Sequence, residues 1–204
     1  MGKKLSIAAV TAAVLALAGC SQSPPPPAAD RTQAEVKKEP PKPAGPVAGE
    51  TAFYEMYKPA RAWATDALPL SLSSDEVPGT NSEEGKYAKW TGIFVSPSHN
   101  EARVFTYSIT DGVSAADSQS WSGATTNSAP FQITELAVDS DAAYKTAGEK
   151  AAGWLKTHPG KKATMTLANA SRFPAPVWYV MWGTKSNGYG VFVNAMTGTV
   201  VKGK

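Results

Sequence analysis

Eight prolines between positions 24 and 46 decide where this chain can fold. Pro24 to Pro27 form an unbroken run, and Pro40, Pro41, Pro43 and Pro46 follow among Ala, Lys and Glu. Proline fixes φ and removes an amide donor, so the stretch suits neither a helix interior nor a central strand. Apart from Val36 and Val47 it also lacks large apolar side chains, and so has little to bury against the entropy of ordering. Residues 20–49 are therefore expected to be a disordered, partly polyproline-II tether, rising about 3.1 Å per residue where extended. Pro40-Pro41-Lys42-Pro43 would also suit a proline-recognising domain. The foldable part begins near residue 50.

Upstream of the tether, Lys3 and Lys4 precede an apolar stretch from Leu5 to Ala18, followed by Gly19 and Cys20. That stretch is shorter than the roughly 20 residues needed to span a bilayer, so residues 1–19 read as an export signal. Leu17-Ala18-Gly19-Cys20 resembles the lipobox of bacterial lipoproteins at all four positions. The resemblance implies cleavage before Cys20, acylation of its thiol and of the new N-terminus, and membrane attachment through more than one acyl chain. Because Ser21 rather than Asp follows Cys20, it further implies the periplasmic face of the outer membrane. Cys20 is the sole cysteine, so no intramolecular disulfide forms and the fold must be held by its core. Loss of Lys3 and Lys4 with the signal leaves 18 basic against 17 acidic side chains, a balance that gives no support for a nucleic-acid partner.

From Thr51 the composition turns aromatic and aliphatic. Phe53, Tyr54, Tyr57, Ala60, Ala64 and Ala67 recur at helical intervals, with Trp63 beside them and Pro59 expected to kink or interrupt the helix. Leu68, Leu70 and Leu72 alternate with polar residues. A loop over residues 78–85 leads to strands predicted at Tyr87 to Val95 and Ala102 to Ile109, joined by a turn at 96–100. Residues 110–129 read as a long connection with Trp121 as its apolar anchor, and Phe131 to Val138 as a short strand. A second helix is capped by Asp139, carries Ala143, Tyr144, Ala147, Ala151, Trp154 and Leu155 on one face, and stops at His158-Pro159-Gly160. Strands at 163–168, 177–183 and 189–195 follow, with turns at 185–188 and at Thr197-Gly198 before Val200 and Val201. The expected class is α+β, helices on an antiparallel sheet, in an N-terminal half (50–129) and a C-terminal half (130–204).

The halves share a plan. Trp90 aligns with Trp178, Val104-Phe105 with Val191-Phe192, and Thr110 with Thr197, which leaves open an internal duplication or one larger α+β domain. Residues 139–201 resemble the PepSY-like module: an Ala-rich helix ending at Pro-Gly, a strand bearing Trp178-Tyr179-Val180, and a closing Val193-Asn194-Ala195-Met196-Thr197-Gly198-Thr199-Val200. The resemblance implies a binding, inhibitory or chaperone-like role without a cofactor, and two tandem units if the repeat is real. Gly198 would supply a positive-φ turn and Asn194 or Thr197 its hydrogen bonds, a structural rather than a functional use.

The chain offers little for catalysis. His99 and His158 have no ligand or triad partner at useful spacing, and no metal or cofactor site is expected. Glu83-Glu84 and Asp139-Asp141 read as loop charge and helix capping. A cell-wall hydrolase using carboxylates within 110–129 is the enzymatic alternative, and a structural role in envelope organisation a further one. Aromatic side chains are the candidates for recognition. Trp178, Val180 and Trp182 share one strand face while Val177, Tyr179 and Met181 share the other, and a helix covers only one, so the strand is either central to a sheet packed on both sides or presents an open aromatic face that takes a peptide or glycan. Trp178, Trp182 and Tyr179 are accordingly the candidate binding residues, Cys20 the lipidation site, and a non-catalytic, envelope-facing binding or inhibitory module for an envelope protein or peptide the expected function.

Overall fold

The computed structural model describes residues 45–202. Cys20, its lipobox and most of the Pro-rich stretch lie outside the described residues. Two helices, α1 (Gly49–Trp63) and α2 (Ser140–Thr157), pack on one antiparallel sheet of nine strands. The strands are β1 (Leu68–Asp75), β2 (Lys89–Ser96), β3 (Glu101–Ser108), β4 (Gly112–Ala115), β5 (Gln119–Ser120), β6 (Ala163–Ala168), β7 (Val177–Gly183), β8 (Gly188–Asn194) and β9 (Val200–Val201). Their spatial order is β4-β3-β2-β1-β6-β7-β8-β9, with β5 paired to β3. A helix followed by an antiparallel meander thus occurs twice, and the first strands of the two halves, β1 and β6, join at Ser71↔Ala168, Leu72↔Leu167 and Ser73↔Thr166. The result is an α+β fold with one continuous sheet.

Alternation divides each strand between two faces. One face carries Leu72, Trp90, Phe94, Phe105, Met165, Leu167, Trp178, Val180 and Trp182, all at most 1% exposed. Against them α1 sets Ala52, Phe53, Met56 and Ala60, and α2 sets Ala143, Ala147 and Ala151. Small residues on α2 bring its axis close to the large rings beneath. At the junction, Trp90 and Trp178 meet edge to face with centroids 6.2 Å apart. Each indole N–H donates to a carbonyl just before a helix, Trp90 to Val47 and Trp178 to Val138. The two tryptophans therefore anchor the entries of both helices.

Those entries are capped jointly. Ala48 gives α1 no side-chain cap. Instead, the Asp139 carboxylate that accepts from Ser140 N–H at the start of α2 also accepts from Glu50 N–H at 2.8 Å. The buried Ser140 hydroxyl accepts from Gly49 N–H and donates to the Gly85 carbonyl, each at 2.7 Å. The N-cap and first residue of α2 thus satisfy amides that α1 leaves open.

Several expectations need correction. The fold begins before residue 50: Val47 is buried and exchanges backbone hydrogen bonds with Tyr87 at 3.0 and 2.9 Å, so the end of the expected 20–49 tether belongs to the core. Helix α1 continues through Pro59 to Trp63. Leu70 falls at a β-bulge between Pro69 and Ser71, which breaks the Leu68-Leu70-Leu72 alternation. Residues 110–129 include β4 and β5, and Trp121 is half-buried outside the core cluster. Phe131 to Val138 forms a 3-10 turn at Ile133–Glu135, where the Glu135 carboxylate accepts the Gln132 amide hydrogen at 2.7 Å. The repeat alignment also slips: Trp90 pairs with Tyr107 and Trp178 with Val193, so Phe105 corresponds to Val191 rather than Phe192. One residue of slip moves a side chain to the other face, which is why Phe105 is core and Phe192 is not.

Candidate functional site

Both helices cover the same face, so the opposite face carries no helical layer. Its composition changes across the sheet. Along one cross-strand row the residues run Ser114, Thr106, Thr91, Ser73, Thr166, Tyr179 and Phe192, from hydroxyls in the N-terminal half to aromatics in the C-terminal half. Next to the aromatic end, the β6–β7 connection folds back onto the sheet. Its Ala170 and Phe173 join Val177, Phe192 and Val201 in a second apolar cluster, separate from the main core.

Between this connection and β6 to β8 lies a groove of about 720 Å³. Tyr179 and Phe192 form its aromatic floor, stacked at 4.6 Å, with Phe173 4.8 Å from Phe192. Thr164, Thr166 and Met181 continue the floor, and Arg172 and Lys185 contribute the charges. The Tyr179 ring fits because Gly190 has no side chain, since a Cβ there would stand 2.6 Å from the ring and its hydroxyl. Burial holds the Tyr179 phenol above its ordinary range, and the nearby Arg172 charge pulls it back in part. The Arg172 guanidinium lies 5.0 Å from the Phe173 centroid and 5.1 Å from that of Phe192, within cation–π range.

Of the three residues expected to bind, the structure keeps one on an accessible face. Trp178 and Trp182 are 0% and 1% exposed beneath the helices, so they build the core and cannot meet a partner. Tyr179 lies in the groove. Sequence reasoning missed Phe173, Arg172 and Phe192, since they come from a loop and from another strand. A charge signal was present but hidden in the net balance. From Lys150 to the end the chain has eight Lys or Arg and no Asp or Glu, whereas residues 45–149 carry fourteen acidic side chains against six basic. Near-neutrality is a sum of opposites, and the groove belongs to the basic part.

The other polar groups have structural roles. Ser96, His99 and Asp66 meet, with Ser96 Oγ donating to Asp66 at 2.7 Å and sharing a 3.0 Å hydrogen bond with His99 Nδ1. Here the serine, not the histidine, stands in the middle, and Ser96 is fully buried, so the geometry is that of a turn clasp and not a nucleophile with its base. The Ser96 hydroxyl and Ser98 N–H hold Asp66 down to a pKa of about 2. His158 stacks on Trp154 at 4.1 Å with its Nδ1 3.0 Å from the Trp154 carbonyl, at the end of α2. Asp111 accepts from Ser108 and Thr110. Gly198 has φ +71°, and Asn194 Oδ1 accepts from Met196 and Thr197 N–H, so the closing motif is turn architecture. Among the described residues no His, Cys, Asp and Glu cluster could hold a metal ion, and no helix is long and apolar enough to cross a membrane.

A scan against models of known protein families finds no match, so the PepSY-like resemblance gains no support there, and no curated protein matches the chain. Among solved structures, the chain is similar to the crystal structure of a protein named as a putative lipoprotein from Clostridium difficile 630. The two share 10% identity over 75% of this chain and 91% of that chain, with a TM-score of 0.49, a likeness too loose to transfer a function.

Proposed function

We propose that this chain is a lipid-anchored module of the bacterial envelope that binds a protein or peptide partner and performs no catalysis. The observation that carries the binding role is the sheet face without a helical layer, whose aromatic groove is floored by Tyr179 packed over Gly190 and walled by the β6–β7 connection. A groove floored by rigid rings suits an extended segment with apolar side chains, because rings offer large contact area at low entropic cost. The lipobox-like Leu17-Ala18-Gly19-Cys20 supports the anchor, and Ser21 supports the periplasmic face of the outer membrane. The Pro-rich stretch would let the folded part reach its partner from the lipid surface.

Two experiments test this reading. Cys20→Ser should leave the precursor uncleaved and unlipidated, and a normally processed, membrane-bound variant would refute the anchor. A photo-crosslinking residue placed at Met181 in intact cells should yield a discrete adduct, while one at the exposed Lys58 on α1 should not. Equal adducts at both positions would refute the groove as the binding face.

A further inference from the structure

We propose that the groove selects an acidic extended peptide segment, with carboxylates set against Arg172 and Lys185 and apolar side chains laid on Tyr179, Phe173 and Phe192. This rests on the binding reading above and adds the chemical class of the occupant.

Charge complementarity argues for it. The groove contains Arg172 and Lys185 and no acidic residue. Further bases lie nearby in sequence: Lys161 and Lys162 precede β6 and Lys202 follows β9, although Lys161 and Lys162 line a separate cavity with Glu76 and Glu84. Lys162 reaches Glu76 of the N-terminal half at 3.3 Å. Arg172 has no carboxylate within ion-pair distance among the described residues. Its guanidinium instead lies over both Phe173 and Phe192, a contact that restrains the planar donor fork without using its hydrogen bonds. An arginine held this way presents several N–H donors to an incoming carboxylate at reduced entropic cost.

Shape selects a peptide over a flat anionic surface. Tyr179 and Phe192 lie at the bottom of a concavity, with Arg172 and Phe173 on the connection forming its wall. A carboxylate meeting Arg172 therefore brings its neighbouring side chains onto the rings. An extended chain whose side chains alternate acidic and apolar meets both demands at strand spacing.

The test measures fluorescence anisotropy with the full chain in detergent micelles. The probe is a fluorescein-labelled synthetic peptide alternating Glu with Leu and Tyr, and the controls replace Glu by Gln or by Lys. The acidic peptide should bind most tightly and weaken as salt rises. Arg172→Glu with Lys185→Glu should reduce its affinity about tenfold or more while lowering the melting temperature only slightly, by the loss of the cation–π contacts of Arg172. Both side chains are exposed, so the charge reversal leaves the core intact. Tyr179→Ala should weaken the acidic and Gln peptides alike. Equal binding of the acidic and Gln peptides, both lost with Tyr179→Ala, would overturn the acidic selection while leaving the groove as a binding site. Failure of all three peptides would overturn the groove reading itself. Phosphatidylglycerol vesicles bound through Arg172 and Lys185 without peptide binding would overturn the proposal in favour of a lipid surface. Salt-sensitive self-association abolished by the charge reversal, again without peptide binding, would overturn it in favour of a second copy.

Discussion

Truncating Trp178 tests whether the two halves are held by one core. Its side chain is 0% exposed, its N–H donates 2.8 Å to the Val138 carbonyl, and its ring meets Trp90 edge to face at 6.2 Å. A Cβ on Gly49 would stand 2.8 Å from the ring, so the indole also supports the first turn of α1. Trp178→Ala should therefore leave a cavity shared by both helix entries, and large-to-small changes of this kind cost about 3–5 kcal/mol. The Val138 carbonyl loses its donor as well, which places the expected loss towards the upper end of that range. Trp178→Phe keeps one ring and should cost about 1–3 kcal/mol, chiefly from the volume lost in the core, because the Val138 carbonyl is only partly buried. A cycle with Trp90→Ala should reveal coupling of about 0.5–1.5 kcal/mol. Urea unfolding followed by circular dichroism reads these values from the transition midpoint at unchanged slope. A Trp178→Ala loss below about 1 kcal/mol, far short of the cost of emptying a core site, would refute the placement of this ring in a shared core.

Three further outcomes follow from the geometry. Asp66 is held down to about 2 in the folded chain from an ordinary value near 3.8, so its stabilisation is present above pH 4 and lost as pH falls towards 2. Asp66→Asn should melt below the parent at pH 6 and converge with it near pH 2, and a pH-independent difference would contradict this. Gly190→Ala should displace the Tyr179 ring, which ends a movable side chain, and so weaken peptide binding with little change in melting temperature; unchanged binding would mean that the ring is not part of the site. A chain beginning at Gly45 should melt like the full chain, whereas one beginning at Glu50 should melt lower because Val47 and the Gly49 amide are gone; identical melts would remove Val47 from the core.

Local chemistry made much of the fold legible. Helix α2 is bounded as expected because Asp139 caps it and His158-Pro159-Gly160 ends it, signals that act within a few residues. Strands β6 and β7 match their expected limits because alternation is unbroken between turns. The misses arose where a distant contact overrode the local pattern. Val47 reads as tether by composition, but pairing with Tyr87, forty residues on, makes it core. Phe131, Ile133, Leu136 and Val138 are spaced much like a strand, yet the Glu135 side chain closes on the Gln132 amide and turns the backbone. Leu70 fits the alternation until the bulge re-aims it.

The site was legible only as far as strand periodicity reaches. Alternation separates Trp178 and Trp182 from Tyr179, but it cannot say which set the helices cover. That choice belongs to the sheet as a whole: Trp178 faces Trp90, Trp90 faces Tyr87, and each indole is tied to the entry of a helix. Once the tryptophans anchor those entries, both helices must lie on their side and Tyr179 is left opposite. The charge division is independent of that geometry yet coincides with it. The aromatic end of the open face lies in the half that carries only basic side chains beyond α2, while the hydroxyl-rich end lies in the acidic half. The acidic partner proposed above would meet rings and guanidinium at the basic half, whereas at the other end it would meet hydroxyls in an acidic surround. For such a partner, long-range attraction and short-range contact would favour the same end of the same face, even though the net charge of the chain gives no sign of either.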